Sequence, residues 1–318
     1  MPRPKRILYL QTEDWAFLLH RLPMSRAARG AGFEVHVATR IGDRLADIEA
    51  EGFTAHHIGW TRGSRSPCDT MTAARQIRRI IMRRLMNRRT VRTIVQNPDD
   101  ETFLLRLGVH SDRIQRIAGS GVDTDFYQPM PEPTGPMTIT FVGRMLEDKG
   151  VRALVEAHSL LSRKGKAPRL LLAGTPAPEH PTSLSEQELQ AWNERDDIEW
   201  LGNVSDIREL WQKSHIAVLP SRREGLPKSL LEAAACGRAM IASDAPGCRE
   251  IAVDGETALT HPVDDAEAKA AAIERLIDEN TLRETFATAA RRRVGERFSE
   301  EIIGAQIVAL YEDVMKQP

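Results

Sequence analysis

The sequence predicts an α/β protein built on parallel sheets, and three observations point to that class. Short apolar strands alternate with helices along most of the 318 residues, a pattern that places helices on the faces of a parallel sheet. The alternation is interrupted at a proline-rich segment, residues 130–136, and then resumes. The composition, 41% hydrophobic and 28% charged, is that of a globular protein. We therefore expect two α/β domains, each able to bury its own core.

The first half of the chain contains three predicted strands. They cover residues 7–10, 35–38 and 54–58, and predicted helices at 18–31 and 45–51 connect them. Gly32 ends the first of these helices. Further on, Asn97 is a predicted helix cap with Pro98 at the first helical position. This half is expected to form one Rossmann-like sheet.

The second half repeats the alternation. Its predicted strands lie near residues 138–142, 169–173, 198–201, 216–219 and 239–242, with helices between them, and the tail from Asp265 onward is helical. The segment between the halves, MPEPTGP at 130–136, holds three prolines and a glycine. Such a composition predicts an interdomain hinge.

The most informative stretch is SRREGLPKSLLEAAACGRAMIASDAPGCRE, residues 221–250. Glu224 precedes a helix that starts at Pro227, and Glu232 lies about five residues into it, which separates the two acids by ~8 Å along the axis. A helix N-terminus favours phosphate, and acids on either side could hold the hydroxyls of a sugar and a ribose. The alternative is an acid favoured by the helix dipole together with a solvated glutamate.

A second cluster, GRMLEDKG at 143–150, places two cations on a loop that follows a strand. Arg144 offers a planar fork of donors and Lys149 a compact charge, and both suit a diphosphate. The alternative is a solvated loop whose cations bridge to Glu147 or Asp148. The framing glycines, Gly143 and Gly150, favour a binding loop.

Taken together, these motifs resemble those of retaining glycosyltransferase family 4, whose members have the GT-B fold. The matching segments occur in the family's order: GSGVD at 119–123 before Phe126, FVGRMLEDKG at 141–150, LLLAG at 170–174, EWLGNVSDI at 199–207, and the E-x7-E region from Glu224 to Glu232. The resemblance covers nearly all of residues 119–318 and most of residues 1–81. It is specific for the family and not for a substrate.

The resemblance implies roles for individual residues. Arg144 and Lys149 would neutralise the departing diphosphate, while Glu224 would hold hydroxyls of the donor sugar and Glu232 the ribose. The remaining implied donor-binding positions are Gly143, Gly174, Val204, Gly225, Leu226, Pro227 and Lys228; of these, Pro227 has no N–H to donate.

On the acceptor side, His20 and Arg21 would face the substrate cleft. Local helix capping or packing explains these two residues equally well. His180, His215 and His261 show no ligand spacing, so neither a metal nor another cofactor is expected.

The domain organisation that follows is a shortened N-terminal acceptor-side domain at 1–129, a hinge at 130–136, a nucleotide-sugar domain at 137–298 and a helix at 299–318 that crosses back to the first domain. The N-terminal domain is expected to be shortened because the sequence after Ile81 runs directly into its late part. On the order of two βαβ units, at ~30 residues each, would be absent.

The implied function is transfer of a sugar, with retention, from a nucleotide-diphosphate sugar to a glycan or lipid-linked acceptor, with UDP-sugars favoured. One alternative is a minimised protein that binds nucleotide-sugar without turnover. Another is sugar-nucleotide epimerisation, which fits the transferase-like motifs least well.

Charge is distributed unevenly along the chain. Residues 1–118 carry 21 Lys and Arg against 12 Asp and Glu, whereas residues 119–318 carry 23 against 33. The basic segment Arg75–Arg92 has isoleucines at helical spacing, which suits either contact with anionic lipid or packing on the sheet. It has no aromatic residue for stacking on bases, so nucleic acid is not an expected partner.

The location and assembly of the protein are also expectations. Cys68, Cys236 and Cys248 form no paired motif, and no apolar run approaches the ~20 residues of a membrane span. A cytoplasmic protein, peripheral on the inner membrane face, is therefore expected. A homodimer is one way to cover an exposed sheet edge in the shortened domain.

Overall fold

The computed structural model describes residues 5–57, 85–89, 91–166 and 168–316. The chain divides into two compact units. One unit joins Met1–Gly121 to Glu300–Pro318, and the other is Val122–Ser299. Cys68 and the basic segment up to Arg84 lie outside the described residues, so the lipid-facing helix stays a prediction.

The first unit begins with alternating strands and helices. Its elements before the second unit are β1 (Arg6–Glu13), α1 (Asp14–Gly30), β2 (Glu34–Arg40), α2 (Leu45–Ala50), β3 (Thr54–His57), β4 (Thr93–Val95), α3 (Pro98–Arg106) and β5 (Ile114–Arg116). The first three strands form a parallel sheet in the order β1-β2-β3, and β4 pairs in parallel with β5.

The core of this unit forms where α1 packs on the sheet. Phe17 and Ala28 of α1 are fully buried against Val35 and Val37 of β2, and Phe53 completes the cluster. Val35 and Val37 are two positions apart on β2 and so point to the same face of the strand, where they meet one face of α1.

The second unit contains a six-stranded parallel sheet and most of the helices. Its elements are β6 (Thr138–Val142), α4 (Val151–Arg163), β7 (Arg169–Ala173), α5 (Glu186–Asn193), β8 (Ile198–Gly202), α6 (Ile207–Gln212), β9 (Ile216–Leu219), α7 (Lys228–Ala235), β10 (Ala239–Ser243), β11 (Leu259–His261), α8 (Ala266–Asp278) and α9 (Asn280–Arg297). Strands β6, β7, β9 and β10 are almost wholly buried, as expected for a parallel sheet covered on both faces.

The order of these strands is β11-β10-β9-β6-β7-β8. The chain therefore places β7 and then β8 on one side of β6, and afterwards places β9, β10 and β11 on its other side. Loops after β6 and β9 leave the sheet on opposite faces and open a crevice at the carboxyl ends of these two strands. In open α/β sheets, this switch point is where ligands bind.

The last helix, α10 (Glu300–Lys316), belongs to the first unit and packs against α1. Ile303 and Ile307 are buried with Met24 and Ile117. A Cβ on Gly304 would lie 3.1 Å from the Cβ of Ala27, so a small residue lets the two helices approach closely. At the other side of the boundary, the N–H of Val122 donates to the carbonyl of Phe298 at 2.9 Å.

The α/β class and the positions of the predicted strands agree with the sequence prediction. The short strands β4, β5 and β11 were not predicted, and the starts of two helices differ. Helix α1 begins at Asp14 rather than near residue 18, because the Asp14 carboxylate accepts the N–H groups of Trp15, Gly42 and Arg44 and fixes the turn that starts the helix. Pro227 is the cap of α7 rather than its first residue, since its ψ of 112° is extended.

The boundary between the units also falls before the predicted hinge at 130–136. The start of that segment is bound to the second unit: the N–H of Met130 donates to the Cys236 carbonyl at 3.1 Å, and the buried Arg238 guanidinium donates to the carbonyls of Met130 and Pro131. The prolines of this segment predict a free linker. The contacts that hold its start come instead from Cys236 and Arg238, which are distant in the sequence and leave no local signal.

Candidate functional site

The loop after β6 forms one wall of the crevice. The N–H of Gly143 donates to the Ala173 carbonyl and that of Met145 to the Thr175 carbonyl, so the loop extends the sheet toward β7. Residues Glu147–Lys149 then form a single helical turn before α4. Arg144 and Lys149 are both half-buried on this loop, which leaves their charged ends within reach of a ligand.

Lys149 forms an ion pair across the switch point. Its Nζ lies 2.5 Å from Oε1 of Glu224, and the two side chains are 22% and 12% exposed. The lysine comes from the loop after β6 and the glutamate from the loop after β9, so two residues 75 positions apart meet in the crevice. A cation and an acid therefore face the same small space, where they could bind phosphate and sugar hydroxyl side by side.

Arg222 connects the two loops just outside this pair. Its guanidinium lies 2.8 Å from Asp264 and 3.3 Å from Glu147. The backbone N–H of Arg222 donates to the carbonyl of Asp148. The ion pair with Asp264 raises the pKa of Arg222. Because these contacts hold the loop after β9 against the loop after β6, Arg222 supports the relative placement of Lys149 and Glu224.

Beneath Glu224 lies the turn at Pro246–Gly247. The N–H of Glu224 donates to the Pro246 carbonyl at 3.0 Å. Gly247 has φ +80°, and a Cβ there would lie 2.5 Å from the Glu224 carbonyl oxygen and 2.6 Å from that of Gly225. Only glycine permits this approach. The neighbouring Cys248 is fully buried, and burial raises the pKa of its thiol to about 12, so it stays neutral.

Helix α7 carries the second acid. Its N-terminus follows Pro227, so the first amides and the positive end of the helix dipole lie directly after Glu224, Gly225 and Leu226. Glu232, one turn further, is 7% exposed. Burial raises its pKa to about 7, against the opposing effects of the Lys228 charge and of a hydrogen bond from Tyr127. Burial of Glu232 in the second turn of α7 therefore costs free energy when the acid is charged. Glu232 is not the solvated glutamate of the alternative interpretation.

The remaining predicted donor-binding positions lie at the carboxyl ends of β7 and β8. The N–H of Gly174 donates to the Gly202 carbonyl at 2.7 Å, and the indole N–H of Trp200 donates to the Gly174 carbonyl. A Cβ on Gly174 would lie 1.9 Å from the Gly143 carbonyl oxygen. Val204 packs beside Leu171 and Leu210. Backbone carbonyl and N–H groups therefore connect the loops at this edge.

The structure thus brings Arg144, Lys149, Glu224 and the start of α7 to one end of one sheet. His20 and Arg21 lie on α1 of the first unit, exposed and half-buried respectively, so their acceptor role stays a prediction. In the described ranges, no group of three His, Cys, Asp or Glu side chains is arranged to hold a metal ion, and none of the helices is both long and apolar enough to cross a bilayer.

Three residues of this region were missed by sequence reasoning. Tyr127 is one of the groups that lower the pKa of Glu232, Arg222 holds the loops after β6 and β9 together, and Gly247 supports Glu224. The pairing of Arg222 with Asp264 had no signal in the spacing, because the partners are on separate loops. Gly247 follows a proline within the informative stretch, so its turn-forming sequence was the one clue to it.

Two family models match the chain. The family described as "Glycosyl transferases group 1" matches residues 136–279, and the family described as "Glycosyl transferase 4-like" matches residues 6–131. The two matches adjoin each other, and the boundary between them lies close to the segment that separates the two halves of the sequence.

Curated relatives show the same similarity. The capsular polysaccharide biosynthesis glycosyltransferase CapM of Staphylococcus aureus is 30% identical over 179 residues, 56% of this chain and 47% of its own length. The N,N'-diacetylbacillosaminyl-diphospho-undecaprenol alpha-1,3-N-acetylgalactosaminyltransferase of Campylobacter jejuni is 31% identical over 240 residues, 70% of this chain and 60% of its own. The chain thus spans about half to three fifths of these two relatives. The putative glycosyltransferase EpsD of Bacillus subtilis is 26% identical over 374 residues, 98% of this chain and 97% of its own.

Solved structures show the same fold. A glycosyltransferase from Rickettsia africae superposes with a TM-score of 0.80 at 18% identity, covering 99% of this chain and 100% of that one. Anabaena Alr3699/HepE, solved in complex with UDP and glucose, superposes with a TM-score of 0.76 at 16% identity, covering 98% and 100%. The chain belongs to the group 1, family-4-like glycosyltransferases and has their GT-B fold.

Proposed function

We propose that the protein is a retaining glycosyltransferase that transfers a sugar from a UDP-sugar to a glycan or lipid-linked acceptor. The observation that carries the proposal is the Lys149–Glu224 pair at the switch point, directly before the N-terminus of α7. It combines a cation for phosphate, an acid for sugar hydroxyls and a helix terminus that favours negative charge.

The donor would extend along this wall of the crevice. Its diphosphate would lie against Arg144, Lys149 and the first amides of α7, while its sugar would bind at Glu224. The ribose would bind at Glu232, and the base at the backbone edge formed by Gly174 and the turn from Gly202 to Val204. Each group of the ligand then meets side chains or amides of complementary chemistry.

The reaction breaks the bond between the anomeric carbon and the diphosphate oxygen, leaves an oxocarbenium-like sugar, and forms a bond from the acceptor hydroxyl oxygen to the same carbon. Negative charge grows on the departing diphosphate, so Arg144, Lys149 and the helix dipole stabilise the transition state more than the ground state. The departing phosphate oxygen takes the proton of the acceptor hydroxyl. No additional carboxylate base is then required.

The choice of donor and acceptor is supported by relatives. The Anabaena structure, which shares the fold, holds UDP with glucose, and the Campylobacter relative is named for transfer to a diphospho-undecaprenol-linked sugar. These similarities favour a UDP-sugar and a lipid-linked acceptor for this chain.

A second candidate is a protein that binds nucleotide-sugar without turnover. It is favoured by one observation: the match to EpsD runs over 374 residues, more than the 318 of this chain. The relative therefore has residues that this chain lacks, and a shortened N-terminal domain would account for the difference. Both candidates require the same donor site and differ in turnover.

Calorimetric titration with UDP, GDP and ADP tests the donor site. We expect UDP to bind most tightly and Lys149→Gln to weaken UDP binding roughly tenfold or more, because a charge-assisted contact to phosphate is lost. The matched control is Lys164→Gln, which removes an exposed lysine paired with Glu274 at 2.8 Å and should leave UDP affinity unchanged. Equal affinity of Lys149→Gln and the parent protein would contradict the site.

Turnover separates the two candidates. The parent protein is incubated with UDP-glucose, UDP-N-acetylglucosamine or UDP-N-acetylgalactosamine together with bacterial lipid extract, and released UDP and glycolipid products are measured. Product formation that is lost in Lys149→Gln supports the transferase. Binding of UDP without product from any of these donors supports the binding protein.

A further inference from the structure

Asp264 has an unusual backbone conformation. Among the described residues it is the one residue other than glycine with a positive φ, at 60°. It lies on the loop between β11 and α8, which runs from His261 to Ala266. In this left-handed region the Cβ comes close to the following carbonyl oxygen, which costs free energy in any residue except glycine. Such a conformation persists only where the surroundings determine it.

The contact that accompanies this conformation is an ion pair with Arg222. The Nε of Arg222 lies 2.8 Å from Oδ2 of Asp264 and 3.1 Å from Oδ1, so both carboxylate oxygens face the guanidinium. The next residue, Asp265, has a different contact, because its side chain accepts the N–H of Ala268 and caps α8. The start of the helix therefore does not require the Asp264 carboxylate.

Arg222 joins three loops. It belongs to the loop after β9, and Asp264 to the loop after β11. On the loop after β6, the Arg222 guanidinium meets two further carboxylates, Glu147 at 3.3 Å and Asp148 at 3.5 Å. Asp264 is the nearest of these three acids, at 2.8 Å. We therefore expect its carboxylate to decide where the guanidinium lies.

The loop after β6 is also anchored by contacts that do not involve Arg222. Glu147 pairs with Arg152 of α4, and Arg152 lies 2.6 Å from Glu188 of α5. The N–H of Glu147 donates to the Thr182 carbonyl at 2.8 Å, and the Thr182 hydroxyl donates to Asp148 at 3.1 Å. This loop is therefore a fixed support against which Arg222 can hold the loop after β9.

Glu224 follows Arg222 by two residues on the same loop. Its Oε1 lies 2.5 Å from Nζ of Lys149, so the position of this acid is linked to that of Arg222 through a short stretch of backbone. Asp264 also compensates the charge of Arg222. A guanidinium without that partner would be attracted to the Glu224 carboxylate and would compete with Lys149 for it.

Stability alone does not explain the pair of Asp264 and Arg222. The side chains of Arg222 and Asp264 are 39% and 45% exposed, and ion pairs with that exposure contribute little to the free energy of folding. The left-handed backbone of Asp264 costs free energy of the same order. Since the net gain in stability is small, the placement of Arg222 is the better explanation of the strained backbone.

We propose that Asp264 is a positioning residue of the donor site, which acts through Arg222 to hold Glu224 opposite Lys149. The inference rests on the proposed function, since it takes Glu224 as the acid that binds hydroxyls of the donor sugar. Asp264 is not among the groups proposed to touch the donor. Its effect should therefore appear in the recognition of the sugar more than in that of the nucleotide.

The first test compares UDP with a UDP-sugar by calorimetric titration. The UDP-sugar is whichever of UDP-glucose, UDP-N-acetylglucosamine and UDP-N-acetylgalactosamine binds the parent protein most tightly. In Asp264→Gly, affinity for this UDP-sugar should fall about tenfold and affinity for UDP by less than about threefold, because a displaced Glu224 loses hydrogen bonds to the sugar. The matched control is Asp278→Gly, which removes an exposed carboxylate paired with Lys166 at 2.8 Å and should change neither affinity.

A second test shows whether Asp264 acts through Arg222. Arg222→Gln alone should produce the same selective loss of UDP-sugar affinity. Adding Asp264→Gly to Arg222→Gln should lower the affinity by less than about twofold more, because the group through which Asp264 acts is already gone. Two losses that multiply would show that Asp264 acts by another route.

Two further variants separate charge from backbone strain. Asp264→Ala lacks the carboxylate, as Asp264→Gly does, so it should lose the same affinity, but it should unfold at a lower urea concentration because alanine disfavours the left-handed region. These two variants are compared with each other because both lack the charge that opposes the lowering of the Lys269 pKa. Asp264→Glu keeps the charge and should bind the UDP-sugar within about threefold of the parent protein.

The outcomes distinguish this inference from the proposed function. A selective loss of UDP-sugar affinity that Asp264→Gly, Asp264→Ala and Arg222→Gln share and Asp264→Glu lacks supports the inference. Unchanged UDP-sugar affinity, equal losses for UDP and UDP-sugar, losses that multiply in the double variant, or a loss in Asp264→Glu as large as in Asp264→Ala overturn it and leave the donor site intact. Failure of the parent protein to bind UDP, GDP or ADP, or any of the three UDP-sugars, overturns the proposed function as well.

Discussion

At the scale of single residues, the burial of Lys269 lowers the stability of the folded protein. It lies in the first turns of α8 and is fully buried, and its Nζ has no hydrogen-bond partner among the described residues. Burial lowers its pKa to about 8, although Asp264, Asp265 and Glu156 oppose the change. His261, beside it, is also buried, and burial lowers its pKa to about 4. Neither group contributes to the donor site described above.

Lys269→Met is expected to stabilise the protein at neutral pH. The native pKa of about 8 lies below the ordinary 10.5, so below pH 8 the folded state carries a buried ammonium at a cost on the order of 3 kcal/mol. As pH rises from 8 to 10.5, the folded state loses this proton before the unfolded state does, and the cost disappears.

Urea unfolding at pH 7 and pH 10.5 measures this effect. The variant's advantage should be large at pH 7 and mostly absent at pH 10.5. Lys164→Met, at an exposed lysine, should change stability little at either pH. An advantage of Lys269→Met that is equal at both pH values would mean that packing, and not charge, is responsible.

Single residues also show what the sequence could and could not reveal about the site. Arg144, Lys149 and Glu224 were predictable because each stands at a strand-to-helix loop in a recognisable motif. Tyr127 was not, because its backbone is placed by Arg291, whose guanidinium joins two segments far apart in the chain. A side chain placed by a distant arginine leaves no periodic signal.

At the scale of elements, the loop that carries Glu224 is supported from below by the turn at Gly247. The turn needs a glycine for two reasons. Its φ of +80° disfavours a side chain, and a Cβ would overlap the carbonyls of Glu224 and Gly225. Gly255 offers a comparison within the same unit, since it has φ +71° but a Cβ added there would meet no atom within 4 Å among the described residues.

Gly247→Ala is therefore expected to reduce stability by more than Gly255→Ala and to weaken UDP binding, because the overlap displaces the Glu224 loop. Gly255→Ala should cost about 1–2 kcal/mol for its backbone conformation alone and leave UDP affinity unchanged. Urea unfolding and UDP titration of both variants measure the difference. If both variants lose the same stability and bind UDP normally, the Gly247 turn does not position Glu224.

Elements differ in how far the sequence determines their ends. Five of the six strands of the second unit were predictable nearly to the residue, because each is a short apolar run between polar loops. The sixth, β11 (Leu259–His261), is too short and polar to give that signal. The start of α1 was not, because Asp14 fixes it through the N–H groups of Gly42 and Arg44 on another loop. The cap of α3 was predictable, since the Asn97 side chain accepts the N–H of Asp100 within the same turn.

At the scale of the whole molecule, the second unit is a continuous segment whose two ends meet. Val122 pairs with Ser299 in an isolated parallel bridge, and its N–H donates to the Phe298 carbonyl. All the donor-binding positions proposed here lie between these ends. The unit therefore has its own sheet, its own core and its own site.

Residues 122–299 expressed alone are expected to fold cooperatively and to bind UDP within about threefold of the full chain's affinity, because no group proposed for UDP lies outside them. Thermal unfolding by circular dichroism and UDP calorimetry measure this, with Lys149→Gln in the same fragment as the control. A folded fragment that does not bind UDP, while the full chain does, would show that the first unit contributes to the nucleotide site.

The discontinuity of the first unit has a consequence for the protein's synthesis. Domains usually fold in the order in which the ribosome delivers them, but here the unit that is begun first is finished last. Met24 and Ile117 are made early, whereas Ile303 and Ile307, which bury them, arrive only with the final helix. The 178 residues from Val122 to Ser299 are translated in between. The second unit can fold during this time, while the apolar surface around Met24 and Ile117 stays exposed. A chain truncated after Ser299 would contain every residue of the proposed donor site but not the helix that completes the first unit.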